Sequence, residues 1–299
     1  MAKKLLITGA QGFVGSNVIE QADPDWELHA LSRQPGKVHR AGLSWHTVDP
    51  NDVNDLREIF LRVQPDAVIH AAAMANIDEC EAHQALAQQA NIGFTQTLAD
   101  LCRANGSKMV FCSTDTVFDG EHSPYREEEV PQPINFYAQT KVDAEKIVAQ
   151  LGTNAVIARL ALVLGLPVVG QGNSFLAAMI ASFKAGRTVT SPTNEVRTPV
   201  DVITLARALI ELTASNHSGI FHLAGNDHLS RFDMGQVIAG RLGFPKKLVV
   251  PTDSSKMLNR APRPRDVSLN NAKARAELKT PMRGFEDGLA QALQSGKEN

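Results

Sequence analysis

Five short, largely apolar runs mark the first 165 residues: Leu5 to Thr8, Glu27 to Leu31, Ala67 to Ala71, Met109 to Ser113 and Ala155 to Leu160. They are bounded by polar or turn residues and show little alternation, the pattern of strands covered on both faces of a parallel sheet. Longer stretches with helical periodicity separate them. In the clearest, Leu86, Ala90, Phe94, Leu98, Leu101 and Cys102 fall on one stripe, and Asn105-Gly106 supplies a stop. This alternation predicts right-handed crossovers and an α/β fold on a doubly wound parallel sheet.

Beyond residue 165 the rhythm becomes irregular and loop residues are commoner. Helices are expected from Phe175 to Lys184, Val202 to Thr213 and Arg231 to Leu242, with one more strand at Ile220 to Leu223 returning to the main sheet. The chain therefore divides into a nucleotide-binding part, residues 1–165 with a return strand near 219–223, and a smaller, mainly substrate-binding region, residues 166–299.

The first strand runs into Thr8-Gly9-Ala10-Gln11-Gly12-Phe13-Val14-Gly15, which opens the first helix. Gly9 allows a tight turn, Gly12 lets a pyrophosphate approach the backbone, and Gly15 lets the helix pack closely on the sheet. The helix start offers free N–H groups and partial positive charge to phosphates. Between a strand and a helix this loop marks a Rossmann-type dinucleotide site, with Gln11, Phe13 and Val14 facing the cofactor. The second strand ends in Ser32-Arg33, where NAD-specific proteins carry a carboxylate for the ribose hydroxyls. A hydroxyl and a guanidinium suit a 2′-phosphate, which favours NADP(H), with NAD(H) as the alternative.

Tyr137-Ala-Gln-Thr-Lys141 lies in a helix expected from Asn135 to Gln150, and a four-residue spacing puts both side chains on one face. A nearby ammonium would lower the tyrosine pKa toward the working range of an acid–base catalyst. The strand before it ends in Ser113-Thr114-Asp115, at the carboxyl edge where ligands of parallel sheets sit. There Thr114 could hold a carbonyl oxygen while Tyr137 protonates it.

Composition removes other classes. A formal net charge of −2 gives no overall drive toward nucleic acid or an anionic membrane. Three cysteines are too few for a disulfide framework, and nine scattered histidines form no helical metal pair. With no signal-peptide pattern and no apolar run near the ~20 residues that span a bilayer, a cytoplasmic location is expected.

The glycine loop, the strand ending in Ser-Thr-Asp and the Tyr-x-x-x-Lys helix together resemble the extended short-chain dehydrogenases/reductases. The stretch from Ser113 to Lys141 and the late Arg263-Pro264-Arg265-Asp266-Val267-Ser268-Leu269 are similar to the dTDP-4-dehydrorhamnose reductase branch. The resemblance implies a catalytic set of Thr114, Tyr137 and Lys141, with Asn91 shaping a proton relay. It implies that Asp49 contacts the adenine amino group and that Ala71, Ala72 and Ala73 lie against the cofactor, though Pro50 offers no amide there. Thr114 and Asp115 would face a nucleotide-linked deoxysugar, and Arg197 and Arg263 would hold its diphosphate. A homodimer is the common assembly of that superfamily. Arg159-Leu-Ala-Leu-Val163 replaces an aromatic-containing run of the branch, which leaves the sugar open.

Within enzymes, Thr116 stands where a 4,6-dehydratase carries a glutamate for elimination, so a reductase is favoured. An epimerase on tightly held NAD stays open, as does a non-catalytic regulatory subunit on the same scaffold.

Overall fold

The computed structural model describes residues 2–49, 52–169, 174–257 and 260–295. Pro50 and the chain end beyond 295 lie outside these. The strands are β1 (Lys3–Thr8), β2 (Trp26–Ser32), β3 (Leu43–Thr47), β4 (Ala67–His70), β5 (Lys108–Thr114) and β6 (Ala155–Leu160). Short strands β7 (Val163–Leu164), β8 (Val189–Pro192), β9 (Val196–Arg197) and β10 (Val200–Asp201) precede β11 (Gly219–Leu223), and β12 (Leu229–Ser230) and β13 (Val249–Thr252) follow. Between them run α1 (Phe13–Gln21), α2 (Val53–Val63), α3 (Ile77–Ala82), α4 (Gln84–Gln88), α5 (Phe94–Asn105) and α6 (Phe136–Ala149). The second half adds α7 (Phe175–Lys184), α8 (Val202–Ala214), α9 (Arg231–Arg241), α10 (Ala272–Glu277) and α11 (Phe285–Ser295).

Seven strands form one parallel sheet in the order β11-β6-β5-β4-β1-β2-β3. The direction of winding reverses between β1 and β4, so a crevice opens beyond their carboxyl ends. Both faces are covered. Leu5, Ile7 and Leu28 pack with Val18 and Ile19 of α1 and Leu205 and Leu209 of α8. Leu6, Val68 and Phe111 pack with Phe60, Leu98, Cys102 and Val148 from α2, α5 and α6. Each such buried side chain contributes ~1.5–3 kcal/mol. A separate apolar cluster joins α7, α9, α11 and β13 through Leu176, Phe183, Ile238, Val249 and Phe285. Among the described residues no helix is long and apolar enough to cross a membrane.

Two features of the first half differ from the sequence expectation. β3 is an additional edge strand; none of its five residues is fully buried, so it lacks the apolar run by which the inner strands stand out. The helix expected around residues 86–102 is broken. A π-helical turn, Gln89–Gly93, separates α4 from α5 and shifts the register of the stripe. Leu86 is therefore 58% exposed, while Leu98 and Cys102 are buried. The stop at Gly106 holds, with φ +72°.

That shift is measurable. Leu86→Ser should change unfolding free energy by no more than about 0.5 kcal/mol, whereas Leu98→Ala should cost about 2–5 kcal/mol. Comparable losses for both in urea titrations would mean that the stripe is continuous after all.

Candidate active site

Thr8 and His70 end the two strands at the point of reversal and stand side by side. Gly9 follows at φ +64°, and a Cβ there would meet the Ala72 nitrogen at 2.7 Å. A Cβ on Gly15 would meet the Gly9 carbonyl oxygen at 2.3 Å, so α1 can approach the loop only through glycine. Gly12 is exposed, with only the Gly9 carbonyl close to its missing side chain. Helices α2, α6, α7, α8 and α9 start with a side-chain cap from Asp52, Asn135, Ser174, Asp201 and Ser230; α1 has none. Its first amides are left for a ligand, the condition a pyrophosphate requires. Gln11 turns away to donate to the Gln34 and Pro35 carbonyls at 2.8 and 3.2 Å.

His70 links this loop to the neighbouring helices. Its Nδ1 is 2.7 Å from Thr8 Oγ1, which accepts from the Ala72 amide, and its Nε2 is 2.9 Å from Thr95 Oγ1. Thr95 donates its own proton to the Asn91 carbonyl at 2.6 Å, so His70 Nε2 must donate to Thr95 and Nδ1 must accept from Thr8. The imidazole is neutral, and burial lowers its pKa to about 3. Asn91 lies in the π-helical turn. Its side chain accepts from the Met74 amide (2.8 Å) and donates to the Met74 carbonyl (3.1 Å) and to Thr140 Oγ1 (2.9 Å). It thereby clamps the loop after β4 to α6.

Helix α6 begins where expected, because Asn135 caps it by accepting from the Ala138 amide. It brings Tyr137 and Lys141 to the end of β5, where Thr114 Oγ1 lies 3.0 Å from Thr116 Oγ1 and caps a short 3-10 turn. Burial pushes the Tyr137 phenol above its ordinary range, and the Asp115 charge adds to this, while the Thr114 hydroxyl pulls the other way. The net direction is opposite to the expectation from spacing; the Lys141 ammonium sits 4.0 Å over the Phe111 ring, and burial lowers it to about 8. Tyr137 thus keeps its proton at neutral pH, the state of a donor rather than a base.

On the adenosine side, Ser32 donates to the Gln34 carbonyl and Arg33 is exposed at the end of β2. Asp49 is exposed just after β3, and the cap of α2 falls to Asp52 instead. Ala71 and Ala72 are half-buried and Ala73 is exposed along the loop after β4.

The two arginines singled out for a diphosphate are engaged with protein. Arg197 is buried and donates to the carbonyls of Val196 (2.6 Å), Arg265 (3.0 Å) and Pro264 (3.1 Å), with its Nε 3.8 Å from Asp115. Arg263 forms a two-pronged pair with Asp78 at 2.7 and 2.8 Å, tying the late loop to α3. Arg231, which the sequence reading passed over, is different. It lies 4.4 Å over the Phe175 ring and, among the described residues, makes no side-chain hydrogen bond or ion pair. Burial lowers its pKa to about 10, and the charges of Arg197 and Arg260 push the same way. Nothing in Ser230-Arg231-Phe232 marks it, since only the fold brings β9, α7 and α9 together.

The sheet order is that of an extended short-chain dehydrogenase/reductase. A family model described as the RmlD substrate binding domain matches residues 3–297, and the chain belongs to that family. It is 30% identical over 274 residues to the methionine adenosyltransferase 2 subunit beta of Bos taurus, covering 90% of this chain and 80% of that one. It is 28% identical to a dTDP-4-keto-6-deoxy-D-glucose reductase of Streptomyces niveus over 98% and 97% of the two chains. A dTDP-4-dehydrorhamnose reductase of Bacillus anthracis, solved in complex with NADP, superposes with a TM-score of 0.88 at 23% identity, covering 99% and 100%.

The buried histidines give a pH signature. His70 and His222 both fall to about 3 through burial, reinforced by Lys141 and Arg159 respectively. In the unfolded chain they take protons near pH 6.5 that the fold refuses. Their contribution to stability is complete above about pH 6.5 and falls as the pH drops toward 3, by about 1.4 kcal/mol per pH unit for each group. His70→Gln should flatten the acid slope of unfolding free energy by about one proton. Parallel slopes for wild type and variant would sink this account.

Proposed function

We propose that the protein reduces a keto group on a nucleotide-linked deoxysugar with NADPH. The observation carrying this reading is the grouping of Thr114 with a Tyr137 phenol that holds its proton, beside the glycine cradle. A bound nicotinamide dinucleotide supplies the hydride. Gly9, Gly12, Phe13, Val14 and Gly15 receive its pyrophosphate, and Gln11 holds the loop that follows β2. Ser32 and Arg33 receive the 2′-phosphate, Asp49 the adenine, and Ala71 to Ala73 leave room beside the dinucleotide. Thr114 orients the substrate carbonyl, Tyr137 delivers a proton to its oxygen, and Lys141 holds the nicotinamide ribose and steadies the phenolate that results. Asn91 keeps α6 in register. Asp115 faces the sugar, and Arg231 is the cation best placed for the diphosphate, since Arg197 and Arg263 already have partners.

The relatedness to methionine adenosyltransferase 2 subunit beta favours one second reading, a regulatory subunit that binds a partner enzyme. Retention of Thr114, Tyr137 and Lys141 supports the reductase instead. A panel of 4-keto dTDP-, UDP-, GDP- and CDP-sugars, followed through NADPH consumption, separates the two. Turnover upholds the reductase; no turnover, with no nucleoside diphosphate bound at millimolar concentration, abandons it. An epimerase would copurify with nicotinamide and consume none.

Tyr137→Phe should lower turnover by about 10²–10⁴-fold while NADPH binding stays near wild type. Retention of more than about a tenth of the rate would remove Tyr137 from the role. NADPH should bind more tightly than NADH, and Arg33→Ala should narrow that preference by roughly 10- to 150-fold, the worth of one charge-assisted hydrogen bond. Equal wild-type affinities in calorimetry would contradict it. Arg231→Ala should weaken binding of a nucleoside diphosphate more than Arg197→Ala or Arg263→Ala does, with NADPH affinity unchanged. The reverse ranking would return the role to the other two.

A further inference from the structure

The loop that follows β2 is pinned by the edge strand β3. Trp45, in the middle of β3, stands opposite Ala30 of β2, and its half-buried ring packs against the core on the α1 side of the sheet. Its indole Nε1 donates to the Val38 carbonyl at 2.9 Å. Gly36 lies on the same ring. A Cβ there would fall 1.9 and 2.0 Å from the two carbons at which the rings fuse. That is well inside the ~3.5–4.0 Å of carbon–carbon contact. The backbone at Gly36 is not left-handed, so it is the indole that excludes a side chain at this position.

Other contacts fix the rest of the loop. Gln11 of the glycine loop donates to the Gln34 and Pro35 carbonyls at 2.8 and 3.2 Å, and Ser32 Oγ donates to the Gln34 carbonyl as well. Val38 is buried in the core, and Arg40 donates to the Ile19 and Ala22 carbonyls at the end of α1. Arg33 stands apart from these. It is exposed, and among the described residues its side chain makes no hydrogen bond or ion pair, so its direction follows the course of the loop. A guanidinium on a free loop gives up conformational entropy when it meets an anion; one on a loop already held gives up less. Between Pro35 and the core anchor at Val38, the contacts that hold the loop come from Trp45.

We propose that Trp45 is a positioning residue for cofactor selectivity: with Gly36 seated on its ring, it holds the loop of residues 34–38 in the shape that presents Arg33 to a 2′-phosphate. This rests on the NADPH reading above. Gly36→Ala keeps Trp45 and β3 but lifts the loop off the ring. In calorimetry on the full chain it should weaken NADPH binding and leave NADH binding near wild type, cutting the preference by roughly tenfold or more, toward that of Arg33→Ala. Trp45→Phe keeps a ring under Gly36 but loses the Nε1 donor, and should cut the preference by about 2- to 13-fold, the worth of one neutral hydrogen bond. In an Arg33→Ala background neither substitution should lower the preference further, because both act through the guanidinium. A wild-type preference that Gly36→Ala leaves intact, equal losses for the two cofactors, or additive losses on Arg33→Ala each overturn the proposal while the NADPH reading stands. Should Gly36→Ala not fold, Trp45→Phe and its double variant decide by the same criteria. Equal wild-type affinities for NADPH and NADH remove the NADPH reading itself, and the positioning role with it.

Discussion

A single neutral imidazole connects the two halves of the site. His70 accepts from Thr8 at the foot of the glycine loop and donates toward Thr95, whose proton goes to the carbonyl of Asn91. From Asn91 the chain continues through Thr140 to the Tyr137 carbonyl, the first turn of α6. A doubly protonated ring would have no acceptor for Thr8 and would break the order of donors along this line. Because the imidazole is fully buried, each of its nitrogens must be satisfied, and that requirement fixes the cradle and the Tyr–Lys helix at a set separation.

Around this line the buried charges are arranged by sign. Burial lowers the Lys141 ammonium, and the Asp115 carboxylate, 3.8 Å from Arg197 Nε, pushes the Tyr137 phenol up. The second half of the chain contributes further cations, of which Arg260 is paired with Glu195 and Arg231 is stacked on Phe175. In a low-dielectric crevice such charges act over longer distances than in water, so their placement matters more than their number.

The chain shares its fold with an NADP-bound reductase and is related in sequence to methionine adenosyltransferase 2 subunit beta. One scaffold therefore serves two kinds of protein, and the fold alone does not choose between them.

The strands of the inner sheet, the glycine loop and the Tyr137–Lys141 helix were legible because each is specified locally. An apolar run, a glycine at positive φ or an Asn cap acts within a few residues of its own position. β3 was not legible, because an edge strand is half-exposed and carries no apolar run. The break at Gln89–Gly93 was not either, because its cause is the clamp of Asn91 on Met74 and Thr140, groups 17 and 49 residues away. The arginines show the same limit most clearly. Sequence identified Arg197 and Arg263 as cations in loops, but tertiary contacts gave them carbonyls and Asp78 as partners and left Arg231 over an aromatic ring. The chain by itself determined its architecture and where its candidate site residues fall, since those follow from periodicity and spacing. Which charges are neutralised, which phenol keeps its proton and which arginine stacks on an aromatic ring were decided only by the fold, because burial and charge pairing depend on residues far apart in sequence.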